Sequence, residues 1–422
     1  WLLEQQGTPK IVIGRDARIS GKMVQGLVTN TLVGLGIDVV DLDLSTTPTV
    51  EMAVVWEQAG AGIIITASHN PKEWNALKFL NHKGEFISKA DGEALLAKIA
   101  EGSIQYASVD QLGKVVSKDG FLGKHIEAIK NHDLVNVAAI QAKQFKIVVD
   151  GINSSGAIAV PQLLEALGCE TILINGAPTG DFAHNPEPLA KHLTQLSQTI
   201  IDEKADLGIS VDPDVDRLAF VCENGQMFGE EFTLVAVADY ILAHRPGNTV
   251  SNLSSTRALR DVTKKHGGQY FASAVGEVNV VTKMKDVDAV IGGEGNGGII
   301  VPDLHYGRDA LIGIGLFLSH LAAQDQAMTT LKAGYPSYQM VKDKIALTPE
   351  IDLNGILAAL EAKYKSENYN TIDGLKIDFP DRWVHLRKSN TEPIIRVYAE
   401  APDVESALAL VEQIKADVNS ML

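Results

Sequence analysis

The chain has 422 residues and a formal net charge of −16, with 45% hydrophobic and 21% charged residues. This composition is typical of a soluble globular protein, and the excess of acidic groups argues against a nucleic-acid partner or an anionic membrane surface. The length exceeds what one hydrophobic core supports, which predicts three or four domains of roughly 100 to 150 residues each.

Cysteine use and apolar segments suggest where the protein is found. Two cysteines, Cys169 and Cys222, are too few for a disulfide framework, so we expect a reducing, cytoplasmic location. The apolar stretch Leu311 to Ala323 is shorter than the ~20 residues of a membrane span, and it predicts a buried helix. The first ten residues show no secretion signal. Because the sequence does not open with Met, we hypothesise that the true start of the chain lies before this numbering.

The order of the predicted elements indicates an α/β protein. Three times, a short β-branched strand is followed by a turn and a helix-period segment, as in parallel sheets with helical crossovers. These pairs are Lys10 to Asp16 with Gly21 to Leu35, Phe145 to Gly151 with Ala157 to Leu167, and Asn248 to Ser254 with Arg257 to His266. The tail differs, because longer alternating strands, Tyr338 to Leu347 and Trp383 to Arg387, lie among helices.

We therefore predict three related α/β domains with mixed, mainly parallel sheets and a C-terminal α+β domain, arranged around a central active-site cleft. The predicted boundaries are 1–138, 139–240, 241–335 and 336–422. Oligomeric state cannot be predicted from these patterns.

The first candidate motif is Thr66-Ala67-Ser68-His69-Asn70-Pro71, at the carboxyl end of an apolar strand. Ligands of α/β sheets gather at that edge, and the proline stops the strand, so we expect Ser68 on an exposed turn. A serine hydroxyl becomes a nucleophile when an adjacent cation or base activates it. Taken alone, the motif is equally compatible with a helix cap and an Asn-Pro turn.

The second motif, Asp212-Pro213-Asp214-Val215-Asp216-Arg217, also follows an apolar strand. Three carboxylates at alternate positions can converge on one hard cation such as Mg²⁺ or Ca²⁺. The spacing of a calcium-binding EF-hand is partly met, but Arg217 stands where that loop requires glycine, and the flanking segments predict strands. A solvated acidic turn is the remaining alternative.

The third motif, Gly293-Glu294-Gly295-Asn296-Gly297-Gly298, formally satisfies a dinucleotide-binding pattern. The following residues, Ile299 to Val301, predict a strand and not the helix which that pattern requires, so we reject a nucleotide site. A tight turn would present Glu294 and Asn296, whose side chains suit vicinal sugar hydroxyls. A plain glycine-rich connection is the alternative.

The fourth motif, Arg387-Lys388-Ser389-Asn390-Thr391-Glu392-Pro393, with Arg396 beyond it, predicts a phosphate cradle. Backbone N–H groups of small residues can face an anion, and arginine offers a planar fork that matches phosphate oxygens. An ordinary hairpin turn would explain Asn390 but not the basic flanks.

In this order, the four motifs resemble those of the α-D-phosphohexomutase superfamily, over nearly the whole chain. The resemblance implies a magnesium-dependent isomerase that moves a phosphoryl group between hexose 6-phosphate and hexose 1-phosphate through a phosphoserine and a bisphosphosugar. It favours glucosamine phosphate, with phosphomannomutase or phosphoglucomutase activity as the alternative. The implied catalytic residues are Ser68, Lys78 and Arg217, and the implied Mg²⁺ ligands are Ser68, Asp212, Asp214 and Asp216. The implied substrate-binding residues are His69, Glu294, Asn296, Arg387, Ser389, Asn390, Thr391 and Arg396.

The sequence departs from this family in two places, and two other readings stay open. Many relatives have serine in place of Asn296, and the family's usual Gly-Thr-x-Gly-x-Arg-Gly opening segment is not seen here. Arg15, in the loop after the first strand, is expected to be structural. A phosphatase with an aspartyl nucleophile would use Asp212 or Asp214 but would leave the serine and phosphate loops unexplained. A calcium-binding or sugar-binding module is the non-enzyme alternative.

Overall fold

The computed structural model describes residues 2, 7–102, 104–346, 352–388 and 393–420. Its first sheet has the strand order β4-β3-β1-β2-β5, in which only the β3–β4 pair is antiparallel. The elements of this region are β1 (Lys10–Arg15), α1 (Gly21–Gly34), β2 (Asp38–Leu44), α2 (Thr47–Trp56), β3 (Ala61–Ile65), β4 (Leu77–Leu80), α3 (Lys89–Glu101) and β5 (Val115–Ser117).

The second and third sheets repeat this plan with four strands each. Helices α4 (Phe121–Lys130) and α5 (Val137–Lys143) lead into β6 (Lys146–Asp150), α6 (Gly156–Ala166), β7 (Glu170–Ile174), α7 (Thr194–Glu203), β8 (Leu207–Val211), β9 (Leu218–Cys222) and α8 (Glu230–His244). The third unit contains β10 (Asn248–Asn252), α9 (Ala258–Lys265), β11 (Tyr270–Ser273), α10 (Glu277–Asp286), β12 (Ala289–Glu294), β13 (Gly298–Ile300), α11 (Ala310–Gln324) and α12 (Met328–Ala333). The strand orders are β7-β6-β8-β9 and β11-β10-β12-β13.

All three predicted strand–helix pairs are present. In each sheet, one parallel strand is followed by an antiparallel partner: β3 by β4, β8 by β9, and β12 by β13. The serine, acidic and glycine-rich motifs are the connections within these three hairpins, at the carboxyl end of the parallel strand. The internal repeat therefore places three different loops at equivalent positions.

The C-terminal unit is an antiparallel sheet, as the alternating tail predicts. Its order is β14-β18-β17-β16-β15, and its elements are β14 (Gln339–Ala346), α13 (Leu353–Lys363), β15 (Asn368–Asn370), β16 (Leu375–Asp378), β17 (Trp383–Lys388), β18 (Ile394–Ala401) and α14 (Val404–Asn419). It has its own hydrophobic core, which α13 and α14 cover. Ser389, Asn390 and Thr391 lie outside the described residues.

The main core joins the second and third units. The predicted buried helix is α11, whose residues from Ala310 to Ala322 are all buried. The ring of Phe317 stacks on Phe220 with a centroid separation of 3.9 Å, and Phe228 meets the same ring edge-on. No helix among the described residues combines the length and the apolar character needed to cross a bilayer.

Candidate active site

The serine loop turns sharply after β3. Ser68 has a φ of 50°, in the left-handed region, and Thr66 Oγ1 accepts a hydrogen bond from the Ser68 backbone N–H at 2.9 Å. The prediction that Ser68 lies on an exposed turn is wrong, because only 9% of this residue is exposed. Its Oγ donates to Asp212 Oδ2 at 2.7 Å, so the acidic loop of the second unit covers the hydroxyl.

A buried arginine that the sequence analysis did not single out holds this loop. The Arg18 guanidinium donates to the carbonyl oxygens of Ser68, Asn70, Pro71 and Trp74. Asp16 Oδ2 forms an ion pair with Arg18 Nε at 2.9 Å. Four backbone acceptors on one planar cation fix the loop conformation more firmly than the turn residues alone could. Arg15 instead binds Gln25 and Asp43, and these contacts agree with a structural role.

The acidic loop brings three buried carboxylates together. Asp212, Asp214 and Asp216 are fully buried, and one oxygen from each lies within 4.8 Å of the others. The turn between them requires Val215 at a φ of 64°, a strained conformation for a β-branched residue and one that is typically retained at functional sites. Burial and the charges of Asp216 and Asp214 raise the pKa of Asp212 well above its ordinary value.

Two oxygens in this cluster mark it as a cation site. Asp214 Oδ1 and Asp216 Oδ1 are buried and have no hydrogen-bond partner among the described residues. A buried carboxylate oxygen without a donor is costly, and a hard divalent cation satisfies such oxygens. The residues present therefore fit a hard divalent cation such as Mg²⁺, which Asp212, Asp214 and Asp216 would hold.

Lys78 lies in β4 and reaches the same cluster. Its Nζ donates to Asp214 Oδ2 at 2.7 Å and to Asp216 Oδ2 at 2.9 Å. Burial alone would lower the pKa of Lys78, but these two carboxylates outweigh it and raise the pKa above its ordinary value. The ammonium group thus occupies the Oδ2 side of both carboxylates, opposite the oxygens left for a cation.

His69 and Arg217 flank the serine and the acidic loop. His69 Nδ1 lies 3.3 Å from Ser68 Oγ. Burial, together with the nearby charge of Arg217, lowers the pKa of His69 to about 4, so its ring is neutral at pH 7. Arg217 Nε lies 3.9 Å from Asp216 Oδ1 and has no hydrogen-bond partner among the described residues.

The glycine-rich loop places Glu294 at the end of β12 and Asn296 in the following turn. Glu294 Oε1 accepts from Asn252 Nδ2 at 2.7 Å and from the Gly276 N–H at 3.1 Å, and its Oε2 accepts from Arg308. Gly297 has a φ of 83°, and a side chain there would meet the Leu218 carbonyl at 2.2 Å. The glycines therefore let this loop approach the acidic loop closely.

The C-terminal sheet contributes a pair of facing arginines. Arg387 on β17 lies directly opposite Arg396 on β18. Two guanidinium groups at adjacent positions of a sheet offer planar donors that suit the oxygens of an anion. Lys342, on the neighbouring strand β14, adds a third basic side chain, and its Nζ lies 2.6 Å from Glu230 Oε1. The predicted cradle residues Ser389, Asn390 and Thr391 lie outside the part of the chain that the structure describes.

A cavity of about 340 Å³ connects these groups. Its volume is in the range of small-molecule sites. Six predicted residues line it, together with Lys342, Tyr398 and Glu187, which the sequence analysis missed; the six are His69, Arg217, Glu294, Asn296, Arg387 and Arg396. Residues from all four units thus meet at one cleft, next to Ser68 and the acidic cluster.

Comparison with known proteins identifies the family. Models of the phosphoglucomutase/phosphomannomutase family match in four parts: alpha/beta/alpha domains I, II and III over residues 1–105, 123–225 and 230–338, and the C-terminal domain over residues 342–417. The chain belongs to this family. Its activity is that of a hexose phosphate mutase, an isomerase.

Individual relatives agree with this assignment. A phosphoglucomutase/phosphomannomutase of Thermococcus kodakarensis is 34% identical, over 97% of this chain and 90% of the relative. A probable phosphoglucosamine mutase of Methanopyrus kandleri is 33% identical, over 96% of this chain and 89% of the relative. The crystal structure of a phosphoglucomutase/phosphomannomutase family protein from Burkholderia thailandensis has a TM-score of 0.87 and 26% identity, covering 99% of this chain and 90% of that one. The four-domain architecture of the mutase is therefore that of its family.

Proposed function

We propose that this mutase interconverts glucosamine 6-phosphate and glucosamine 1-phosphate, with Ser68 as the phosphoryl carrier and Mg²⁺ as the metal. The observation that carries the proposal is the contact between Ser68 Oγ and the acidic cluster at 2.7 Å, beside a cavity lined by acidic and basic side chains. A metal at this cluster would neutralise charge that develops on the transferring phosphoryl group.

The cavity walls support the assignment of a phosphosugar. Arg387, Arg396 and Lys342 lie on adjacent strands and give the cavity a basic side that suits a phosphate, and Glu294 and Glu187 also line the cavity. Carboxylates accept hydrogen bonds from sugar hydroxyls and also attract the ammonium group of an amino sugar. The names of the relatives include both phosphoglucosamine mutases and a phosphoglucomutase/phosphomannomutase, so glucose and mannose phosphates are the second candidates.

In the proposed reaction, phosphorylated Ser68 gives its phosphoryl group to the free hydroxyl of the hexose phosphate. The bond from phosphorus to Oγ breaks, and a bond from phosphorus to the sugar oxygen forms, which yields a bisphosphosugar. The bisphosphosugar turns around, and its other phosphoryl group returns to Ser68. Arg217 orients the phosphoserine, and His69 borders the reacting oxygen. The Lys78 ammonium gives a proton to the departing Ser68 Oγ and takes up the proton of the reacting hydroxyl, so that it ends the step protonated, as it began.

The tail domain then has a separate task. Arg387 and Arg396, with Ser389, Asn390 and Thr391, hold whichever phosphate is not reacting. Because the cavity has walls from all four units, we propose that the C-terminal domain closes over the bound sugar and excludes water from the phosphoenzyme. Small-angle scattering should show compaction when a bisphosphosugar is added.

The test is turnover of glucosamine, mannose and glucose 6-phosphates with Mg²⁺ and the matching bisphosphate. We expect glucosamine 6-phosphate to give the highest kcat/KM and Ser68→Ala to lose nearly all turnover. The matched control is Ser108→Ala, which removes an exposed serine outside the cleft and should retain full activity. An active Ser68→Ala protein would contradict the mechanism, and a preference for mannose or glucose would correct the substrate.

A further inference from the structure

Arg308 is a buried arginine that joins the acidic loop to the glycine-rich loop. It lies between β13 and α11, and its guanidinium meets three carboxylates from separate elements. Nη2 lies 2.6 Å from Asp216 Oδ2, Nη1 lies 2.7 Å from Glu294 Oε2, and Nε lies 2.9 Å from Glu277 Oε2. One side chain therefore spans the metal ligands and the residue that faces the sugar cavity.

The Glu294 carboxylate has little rotational freedom, because both of its oxygens accept hydrogen bonds. Its Oε1 already accepts from Asn252 and Gly276, so Arg308 takes the remaining oxygen. Burial alone would raise the pKa of Glu294, but the charge of Arg308 and the Asn252 hydrogen bond hold that pKa below its ordinary value. The carboxylate is thus kept ionised and fixed in orientation.

The backbone around Arg308 is built to keep it in place. A Cβ atom at Gly298 would lie 2.4 Å from Arg308 Cδ, so the last glycine of the glycine-rich loop makes room for the arginine. The next residue, Asp309, caps α11 by accepting from the Leu311 N–H at 2.8 Å, and it also contacts His125 Nε2 at 2.9 Å. The position of the Arg308 backbone is therefore fixed by the start of the buried helix α11.

We propose that Arg308 is a positioning residue, which fixes the Glu294 carboxylate toward the sugar by tying it to Asp216 and Glu277. This inference rests on the proposed function, in which Glu294 contacts sugar hydroxyls. A lysine could replace the charge but not the contacts, because one ammonium group cannot reproduce the planar fork that serves three carboxylates.

The test measures binding, so that it does not depend on turnover. Glucosamine 6-phosphate is titrated by calorimetry, with Mg²⁺, into Ser68→Ala protein that carries Arg308→Lys, Glu294→Gln, or both. We expect Arg308→Lys to weaken binding by about tenfold, the size of one lost charged hydrogen bond. Because Arg308 acts through Glu294, the double variant should bind within about threefold of the weaker single variant.

Two controls separate positioning from general damage to the site. Inorganic phosphate has no sugar hydroxyls, so its affinity should be the same with and without Arg308→Lys. Arg245→Met is the control variant. Arg245 pairs with Asp303, which lies in the same loop as Arg308, but Arg245 does not line the cavity. The control variant should leave sugar binding unchanged. If Arg308→Lys does not fold, Glu277→Gln is the substitute, because it weakens the contact that holds Arg308 Nε. This variant should lower the affinity for glucosamine 6-phosphate by about threefold.

The outcomes are distinct. Unchanged sugar affinity in the folded variant, additive losses in the double variant, or equal loss of inorganic phosphate would each overturn the role of Arg308. If the Ser68→Ala parent binds inorganic phosphate but none of the glucosamine, mannose or glucose phosphates, the proposed function fails first and the inference fails with it.

Discussion

Two clusters of metal-ligand residue types lie among the described residues, and they differ in electrostatic character. One is Asp212, Asp214 and Asp216; the other is His125, His305 and Asp309, which we call the histidine cluster. In both, the candidate ligand atoms lie within 4.8 Å of one another. Residue type and spacing alone would therefore assign a metal to each.

The hydrogen bonds separate the two clusters. Asp309 Oδ2 lies 2.9 Å from His125 Nε2 and 3.2 Å from His305 Nε2, and its Oδ1 caps α11. Every oxygen of this aspartate has a partner within the protein. In the acidic cluster, Asp214 Oδ1 and Asp216 Oδ1 have no hydrogen-bond partner among the described residues. In the histidine cluster, His305 Nδ1 lacks a hydrogen bond but lies 3.2 Å from Glu51 Oε2. Because the unsatisfied ligand atoms of the acidic cluster are carboxylate oxygens, the acidic cluster is the better candidate for a hard cation.

Glu51 is a buried acid beside the histidine cluster. Its Oε2 lies 3.2 Å from His305 Nδ1, which ties α2 of the first unit to the third. Burial raises the pKa of Glu51 to about 7, with the His305 contacts acting in the opposite direction. Glu51 and the histidine cluster thus join two domains through neighbouring carboxylates and imidazoles, whereas the three carboxylates of the acidic cluster repel one another and depend on Lys78 and Arg308 for opposite charge.

The largest expected effect is a difference in stability between two Asp→Asn substitutions. Asp309→Asn leaves buried imidazoles without their anion and should lower the free energy of unfolding by about 3 to 5 kcal/mol. Asp214→Asn relieves repulsion by Asp212 and Asp216 but also weakens the ion pair with Lys78, so the two effects offset each other and the metal-free protein should lose clearly less stability than with Asp309→Asn. Urea unfolding without metal measures both values. Equal destabilisation by the two substitutions would contradict this difference between the two clusters.

The next effect is on metal activation of turnover. Asp214→Asn should raise the Mg²⁺ concentration for half-maximal activity by about 10- to 100-fold, as expected when a metal site loses one contributor. Exhaustive chelation of the wild-type protein should abolish turnover, and added Mg²⁺ should restore it. His125→Gln is the control, and it should keep the wild-type Mg²⁺ dependence in the folded fraction. A shift as large as that of Asp214→Asn would make the histidine cluster the metal site.

A third effect is the pH dependence of stability. Burial alone would lower the pKa of His305, but its hydrogen bond with Asp309 and its close contact with Glu51 outweigh burial and raise the pKa from 6.5 to about 10. The stabilisation is therefore complete below pH 6.5 and is lost as the pH rises toward 10. Wild type and His305→Gln should differ most in unfolding free energy near pH 6 and least near pH 10. A difference that grows with pH would reverse the assignment.

Sequence patterns were sufficient for the three strand–helix pairs, for the buried helix α11 and for the place of the three motif loops. The β-branched runs predict β1, β6 and β10, and the motifs fall in the three hairpins because parallel strands end at the same sheet edge. The burial of Ser68 could not be predicted, since the group that covers it, Asp212, is 144 positions away in sequence. A turn motif contains no information about such a distant partner.

Arg18 and Arg308 were missed for the same physical reason. Their partners are backbone carbonyls and carboxylates from other elements, which only the folded chain brings together. The one sequence signal for Arg18 is its place in the loop after β1, beside β3 in the sheet. Arg308 precedes the helix cap Asp309 and looks like an ordinary loop residue. Roles in the tail loop stay predictions, because Ser389, Asn390 and Thr391 lie outside the described residues.

The smallest expected effect comes from an exposed ion pair that joins the serine loop to the second unit. Lys72 Nζ lies 2.6 Å from Asp181 Oδ1, but their side chains are 46% and 65% exposed. Water screens such a pair, so Lys72→Ala should change turnover by no more than about twofold. Kinetics at low and high salt measure this, with Asp181→Ala as the reciprocal variant. A large loss in both variants would mean that surface charges help to hold the serine loop, in addition to buried groups such as Arg18.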